Sequence, residues 1–381
     1  MSGRILWIDA ARGLAIVLVT LIHATDWIQE TSVRIPVWVD VNEVLSTLRM
    51  PLFFACAGIL AAKWVTAGWS ELVPRKIGFL VWVYLIWQPV GSLVALIAAR
   101  FNGDEFTLVR MIGSLALTPF RPRFELWFLW SLALFFVLAR ASARLPRTPQ
   151  IVVAAGIAAV WFSALIPEHN LGWDGSAKYY VFFLLGCYHR PALEGFVQHL
   201  GFEASLLLIG GWFVLAAFAY TSGLDDLPGV GLLVRVVGVA AGFALARRLM
   251  SVTLLSYLGS RTLPIYLAHT PLIICFTWVL SIGLGDGLPD PVIAVLPVLF
   301  TVVSVALSLL LHFALTSNSA GALLYAPPAA VVGWMKRLFS GRRPPPAPMV
   351  IDLRTPAAPR RSIRMTEVPI GPPVAELEPR W

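Results

Sequence analysis

The sequence predicts an all-α protein, a polytopic membrane helix bundle of about ten transmembrane helices with both termini in the cytoplasm. Three observations carry that prediction. Apolar runs of about 20 residues, the length a helix needs to cross the bilayer hydrocarbon, recur between short polar breaks. The 381 residues are 58% hydrophobic and 13% charged, with mean hydropathy +0.78. Lys and Arg gather at alternate breaks, as the positive-inside rule requires of a multi-pass chain. The soluble rule of about one domain per 150 residues therefore does not apply. The expected division is a membrane domain over 1–335 and a cytoplasmic tail over 336–381.

Taken in order, the candidate spans are 6–25, 43–64, 76–99, 124–140, 150–167, 177–189, 204–222, 229–247, 260–282 and 291–314. The first is the least ordinary. It reads LWIDAARGLAIVLVTLIHA and carries Asp9 and Arg12 near its start and His23 near its end. Ionisable groups within a span are costly and face a protein interior or a watery cavity. Eleven residues are about three helical turns, so Arg12 and His23 share one face about 16 Å apart. Asp9 and Asp26 fall within about 60° of that stripe. A signal peptide fits poorly, because Asp9 and Arg12 interrupt the apolar region and no cleavage site follows.

Orientation follows from the connections. With the N-terminus inside, the inner ones hold Lys63, Arg75 and Lys76, then Arg140, Arg144 and Arg147, Arg190, and Arg247, Arg248 and Arg261. The outer ones hold Asp26, Glu30, Asp40 and Glu43, then Glu168 and Asp174, Asp225 and Asp226, and Asp286 and Asp290. One outer loop dissents with Arg100, Arg110, Arg121 and Arg123, which is either a topology error or a site for an anion. Lys336, Arg337, Arg342 and Arg343 place the C-terminus inside. From Arg342 on, prolines and scattered charge predict disorder. The net charge of +8 sits at loop ends and in this tail, so no nucleic-acid partner is expected; membrane lipids are. Cys56, Cys187 and Cys275 lie singly in apolar runs, with neither metal-ligand spacing nor a disulfide framework.

Three further stretches bring chemistry to the stripe. Arg49-Met-Pro-Leu-Phe-Phe enters the second span, where Pro51 frees backbone carbonyls toward a cavity. Glu125-Leu-Trp127-Phe-Leu opens the fourth, beside Arg121 and Arg123, which are the alternative partners of Glu125 at the interface. Tyr266-Leu-Ala-His269 lies within the ninth. Histidine suits general-base work near neutral pH, and a carboxylate beside it orients the ring. Asp26, one turn beyond His23, or Glu125 across the bundle supplies that carboxylate.

These residues resemble acyltransferase family 3. Arg12 and His23 match its Arg-x10-His first span, and MPLFFACAGIL is similar to its PxFFxxSG segment with Ala57 in the serine position. PRKIGFLVWVYLIW resembles the basic start of its third span, ELWFL its HLWFL with Glu125 in the histidine position, YVFFLLGCY its FxxG helix, and SRTLPIYLAHTPLI its SxxxYLxH helix. The resemblance covers about residues 4–325. It implies an integral inner-membrane O-acyltransferase that moves an acyl group, most plausibly acetyl, from cytoplasmic acyl-CoA to a hydroxyl of an extracytoplasmic glycan or exopolysaccharide. Acyl-CoA is then a donor substrate, with no permanently bound cofactor and no metal. The resemblance makes His23 the catalytic histidine, Arg12 its required partner and Glu125 a third catalytic group. Asp26, Arg49, Arg75, Lys76, Trp127, Tyr266 and His269 become substrate-binding residues. Gly78 stands where the family's Arg-x-x-Arg has its second arginine, so Lys76 takes that place beside Arg75. The runner-up is a transporter or flippase for a glycan or lipid, with the stripe lining its path. A scaffold acting through the proline-rich tail leaves the stripe unexplained.

Overall fold

A computed structural model describes residues 6–31, 33–102, 107–283 and 288–339, with helices throughout and no strand among them. In chain order these are α1 Leu6–Gln29, α2 Pro36–Val65, α3 Trp69–Leu72, a π-helical turn Val73–Ile77, α4 Gly78–Asn102, α5 Leu108–Leu117, α6 Trp127–Ala141 and α7 Arg147–Trp161. Then follow α8 Leu171–Tyr188, α9 Arg190–His199, α10 Phe202–Ser222, α11 Val230–Leu249, α12 Thr253–Ser260, α13 Thr262–Gly283, α14 Asp290–Thr316, α15 Ser319–Ala322 and α16 Ala329–Phe339.

Among the described residues, seven helices are long and apolar enough to cross a membrane: α1, α2, Trp69–Ala99, α10, α11, α13 and α14. This is an integral membrane protein. The expected fourth, fifth and sixth spans correspond to α6 and α7, of 15 residues each, and to α8, whose first turns carry Asn170, Asp174 and Ser176. The predicted tail starts inside α16, which continues to Phe339. Arg342, Arg343 and the stretch beyond them expected to be disordered, Asp286 and the side chain of Arg100 lie outside the described residues.

The first helix is the hub, packed against α2, α11, α12, α13 and α14. Its approach to α12 is set by missing side chains: a Cβ on Gly259 would overlap the Asp9 carbonyl, and one on Gly13 the Leu255 carbonyl. Without a hydrophobic force between helices in lipid, such close backbone contact is what holds them together. Aromatic packing fills the centre, with Phe54 against Phe128 at 4.6 Å, Phe135 at 5.2 Å and Tyr179 at 5.3 Å. Pro51 does leave the Thr47 carbonyl without its helical donor, yet that carbonyl does not open to a cavity. It is covered by Gly238 of α11, where a Cβ would sit 2.5 Å away. Trp212 meanwhile donates to the Thr47 hydroxyl at 3.0 Å.

Candidate active site

Two polar centres lie along α1. At its start, Arg12 donates to the Thr262 hydroxyl at 2.8 Å and stands 3.6 Å from Asp9. It thereby ties α1 to the first turn of α13. It also lines a cavity of about 240 Å³, together with Trp64, Lys76, Phe53, Phe128 and Tyr266. Lys76 reaches this cavity because the π-helical turn re-aims it, and its ammonium lies 5.1 Å over the Trp64 ring. Such turns widen the helix by one residue and recur at functional sites. Arg75, on the same turn, points elsewhere: it is half exposed, 3.9 Å from Glu71, and does not line the cavity.

The second centre lies beyond Tyr266, which lines that cavity and packs against His269 with ring centroids 6.1 Å apart; His23 and Glu125 do not themselves line it. His23 Nδ1 stands 3.8 Å from Glu125 Oε1, and the two side chains are 23% and 17% exposed. His269 packs against His23 with ring centroids 5.3 Å apart. It is wholly buried, and its Nδ1 lies 3.0 Å from the Ile265 carbonyl. A carbonyl only accepts, so Nδ1 carries the proton. Nε2 lies 3.2 Å from the Thr270 hydroxyl, which is also within hydrogen-bonding reach of the Glu125 carboxylate. His269 is thus held at both ring nitrogens beside His23. Tyr266 donates to the backbone carbonyl of Glu125 and its ring lies 5.5 Å from Phe128, so it joins the cavity wall to the histidine centre.

Glu125 precedes α6, at the end of a loop that enters the bundle. Backbone carbonyls away from water need donors, and side chains from surrounding helices supply them. Tyr84 of α4 donates to the Thr118 carbonyl at 2.7 Å, Trp130 of α6 to Pro119 at 2.9 Å and Trp173 of α8 to Phe120 at 2.8 Å. Asn170 donates to Pro122 and Gln88 to Arg123, each at 3.3 Å, and Tyr266 to Glu125. The sequence gives no sign of this strap. Its tryptophans read equally well as an interfacial belt, and only their N–H groups, each needing a buried acceptor, hint at another use.

The other predicted site residues fall into place around these centres. Arg49 donates from one nitrogen to the Asn42 backbone at 3.3 Å and to its side-chain oxygen at 3.2 Å. Asn42 is held in turn by the Thr25 hydroxyl at 2.8 Å. Arg49 is within electrostatic reach of both His23 and Asp26. Asp26 is exposed, with Arg49, Glu43 and Glu30 as its electrostatic neighbours, so Glu125 is the carboxylate in contact with the histidine. Trp127 is buried as packing, 5.9 Å from the Phe54 ring and 6.0 Å from Tyr179, and does not line the cavity. Cys56 and Cys187 are buried and Cys275 is exposed.

Residues 5–317 match the family described as Acyltransferase domain. The chain is 22% identical over 352 residues to the inner membrane protein YcfT of Escherichia coli (strain K12), an alignment covering 86% of this chain and 98% of that protein. No solved structure matches the chain.

Proposed function

The chain belongs to the Acyltransferase domain family, and from that premise we propose that it is an inner-membrane O-acyltransferase. It takes an acyl group, acetyl by default, from cytoplasmic acyl-CoA to a hydroxyl of an extracytoplasmic glycan or exopolysaccharide. The observation that carries this reading is the contact of His23 with Glu125, joined through Tyr266 to a cavity lined by Arg12 and Lys76.

In this reading the seven long helices are joined by α6, α7 and α8 as shorter crossings, giving ten spans with both termini in the cytoplasm. Residues 1–335 hold the chemistry and 336–381 do not. The polyanionic nucleotide of CoA stays at the basic inner face near Arg75, with Lys76 and Arg12 at the cavity entrance. The slender pantetheine arm enters between Phe53, Phe128 and Tyr266 and brings the thioester toward His23. Arg12 is a donor-binding residue that also locks α1 to α13.

His23 then works as a general base. Glu125 takes the Nδ1 proton as hydrogen-bond acceptor, leaving the Nε2 lone pair for the acceptor hydroxyl. Separations of this kind close when substrate binds. As Nε2 removes the proton, the oxygen attacks the thioester carbonyl. The tetrahedral intermediate collapses, the C–S bond breaks, and the departing CoA sulfur receives the proton from His23. Arg49 and Asp26 face the acceptor side. The rival route forms an acyl-histidine first; acyl-enzyme trapped with labelled donor in the absence of acceptor would replace the one-step scheme.

The test is transfer from radiolabelled acetyl-CoA in membrane vesicles, comparing wild type with His23→Ala at matched expression. Label in an extracytoplasmic glycan with wild type alone is the expected result. Equal labelling in both removes His23 from the mechanism. No label in either points to another donor or to transport.

A further inference from the structure

The chain reaches Glu125 through a residue held in a backbone conformation that its side chain disfavours. Phe124 has φ 54°, and it is the one non-glycine residue of positive φ among those described. In that region Cβ crowds the backbone oxygen, which is why it is left mostly to Gly, Asn and Asp. A bulky aromatic stays there only where its surroundings over-determine it.

Here they do. The Phe124 ring covers Gly91 of α4, where a Cβ would come within 3.3 Å of it. The Arg123 guanidinium lies 5.4 Å from the same ring. Gln88 holds the Arg123 carbonyl on one side of Phe124, and Tyr266 holds the Glu125 carbonyl on the other. Gln88 and Gly91 are three residues apart, so a single face of α4 grips both the preceding carbonyl and the ring. A glycine at 124 would make the same turn without strain, so the ring is present for what it touches.

We propose that Phe124 and Gly91 form a positioning pair: the ring seated on Gly91 keeps residue 124 left-handed, and that conformation aims the Glu125 carboxylate at His23. Phe124 acts through Glu125 and does not meet substrate. The inference rests on the reading of His23 and Glu125 as the reacting pair.

The experiment compares wild type with Phe124→Ala, Phe124→Gly and Gly91→Ala, each alone and combined with Glu125→Gln. Phe124→Ala retains the backbone penalty of the left-handed turn but loses the seat that holds it there, so kcat falls by about 10- to 100-fold, as for an ångström-scale misplacement, with donor KM unchanged. Phe124→Gly takes the left-handed conformation freely and retains more activity than Phe124→Ala, the reverse of what lost packing alone produces. Gly91→Ala lowers kcat by pushing the ring aside. In the Glu125→Gln background Phe124→Ala adds little, because the group it positions is already gone. Glycine no better than alanine, or losses that multiply in the double variant, would overturn the proposal.

A second measurement needs no turnover. In a Cys275→Ser protein carrying Glu125→Cys, the thiol introduced at position 125 reacts slowly with a membrane-impermeant maleimide while residue 124 is held, and faster once Phe124→Ala is added. Unchanged labelling overturns the positioning role whatever the activity. Raised labelling, together with a wild-type protein (Glu125 intact) that transfers no acyl group, supports the positioning role and overturns the functional reading instead.

Discussion

Replacing Glu125 by glutamine keeps its size and removes its charge. In the proposed transition state His23 becomes a cation, and the carboxylate oxygen stands 3.8 Å from its Nδ1. Two unit charges at that separation interact by about 4 kcal/mol at an effective dielectric of 20. A factor of ten in rate corresponds to about 1.4 kcal/mol, so the full effect is about 1000-fold. Both side chains retain some exposure, and the amide oxygen still accepts a hydrogen bond, which brings the expected loss in kcat to about 100- to 1000-fold. Donor KM should stay within about twofold of wild type, because Glu125 interacts with a charge that exists only during transfer. The assay is the initial rate of label transfer from acetyl-CoA in vesicles across a range of donor concentrations. A thiol-release assay would need Cys275→Ser, since that cysteine is exposed. A Glu125→Gln protein with kcat within threefold of wild type would refute the carboxylate–histidine pairing as a source of rate.

Three other perturbations follow from the same geometry. Arg12→Lys loses the fork that reaches Thr262, and a point charge does not replace it; donor saturation curves should show acyl-CoA KM raised by about tenfold or more with a smaller change in kcat. Gly259→Ala puts a methyl group into the Asp9 carbonyl, so thermal unfolding in nanodiscs should register a loss of about 1–3 kcal/mol from forced separation of α1 and α12. Deleting residues 342–381 should leave transfer within about twofold of wild type, since a segment of prolines and scattered charge is expected to contribute no packed surface; loss of activity on deletion would favour the scaffold reading.

Much of the site was legible because one helix displays it. Arg12 and His23 share a face of α1 by arithmetic alone, and the apolar length of the run says that such groups must face inward. The long spans were legible for the same reason, being local properties of composition. What remained hidden depends on contacts between distant segments. Tyr84, Gln88, Trp130, Asn170 and Trp173 each donate to a loop far away in sequence, and none carries a pattern that names its partner. Arg75 and Lys76 are neighbours of like charge, and only the π-helical turn decides that Lys76 meets the cavity. His269 is named by its motif, but the partners of its two ring nitrogens, the Ile265 carbonyl and the Thr270 hydroxyl, show only in the folded chain.

The short helices have the same explanation. In the proposed ten-span reading, the loop drawn into the bundle supplies part of the depth that a longer helix would otherwise span, so that α6, which begins at Trp127, needs only 15 residues. That arrangement is affordable in hydrocarbon only if each carbonyl of the loop finds a donor, and the donors come from α4, α6, α8 and α13 together. A carboxylate carried on such a loop is therefore placed by four helices at once, whereas His23 is placed by one. Errors in packing anywhere among those four should accordingly reach the chemistry through Glu125 before they reach it through His23.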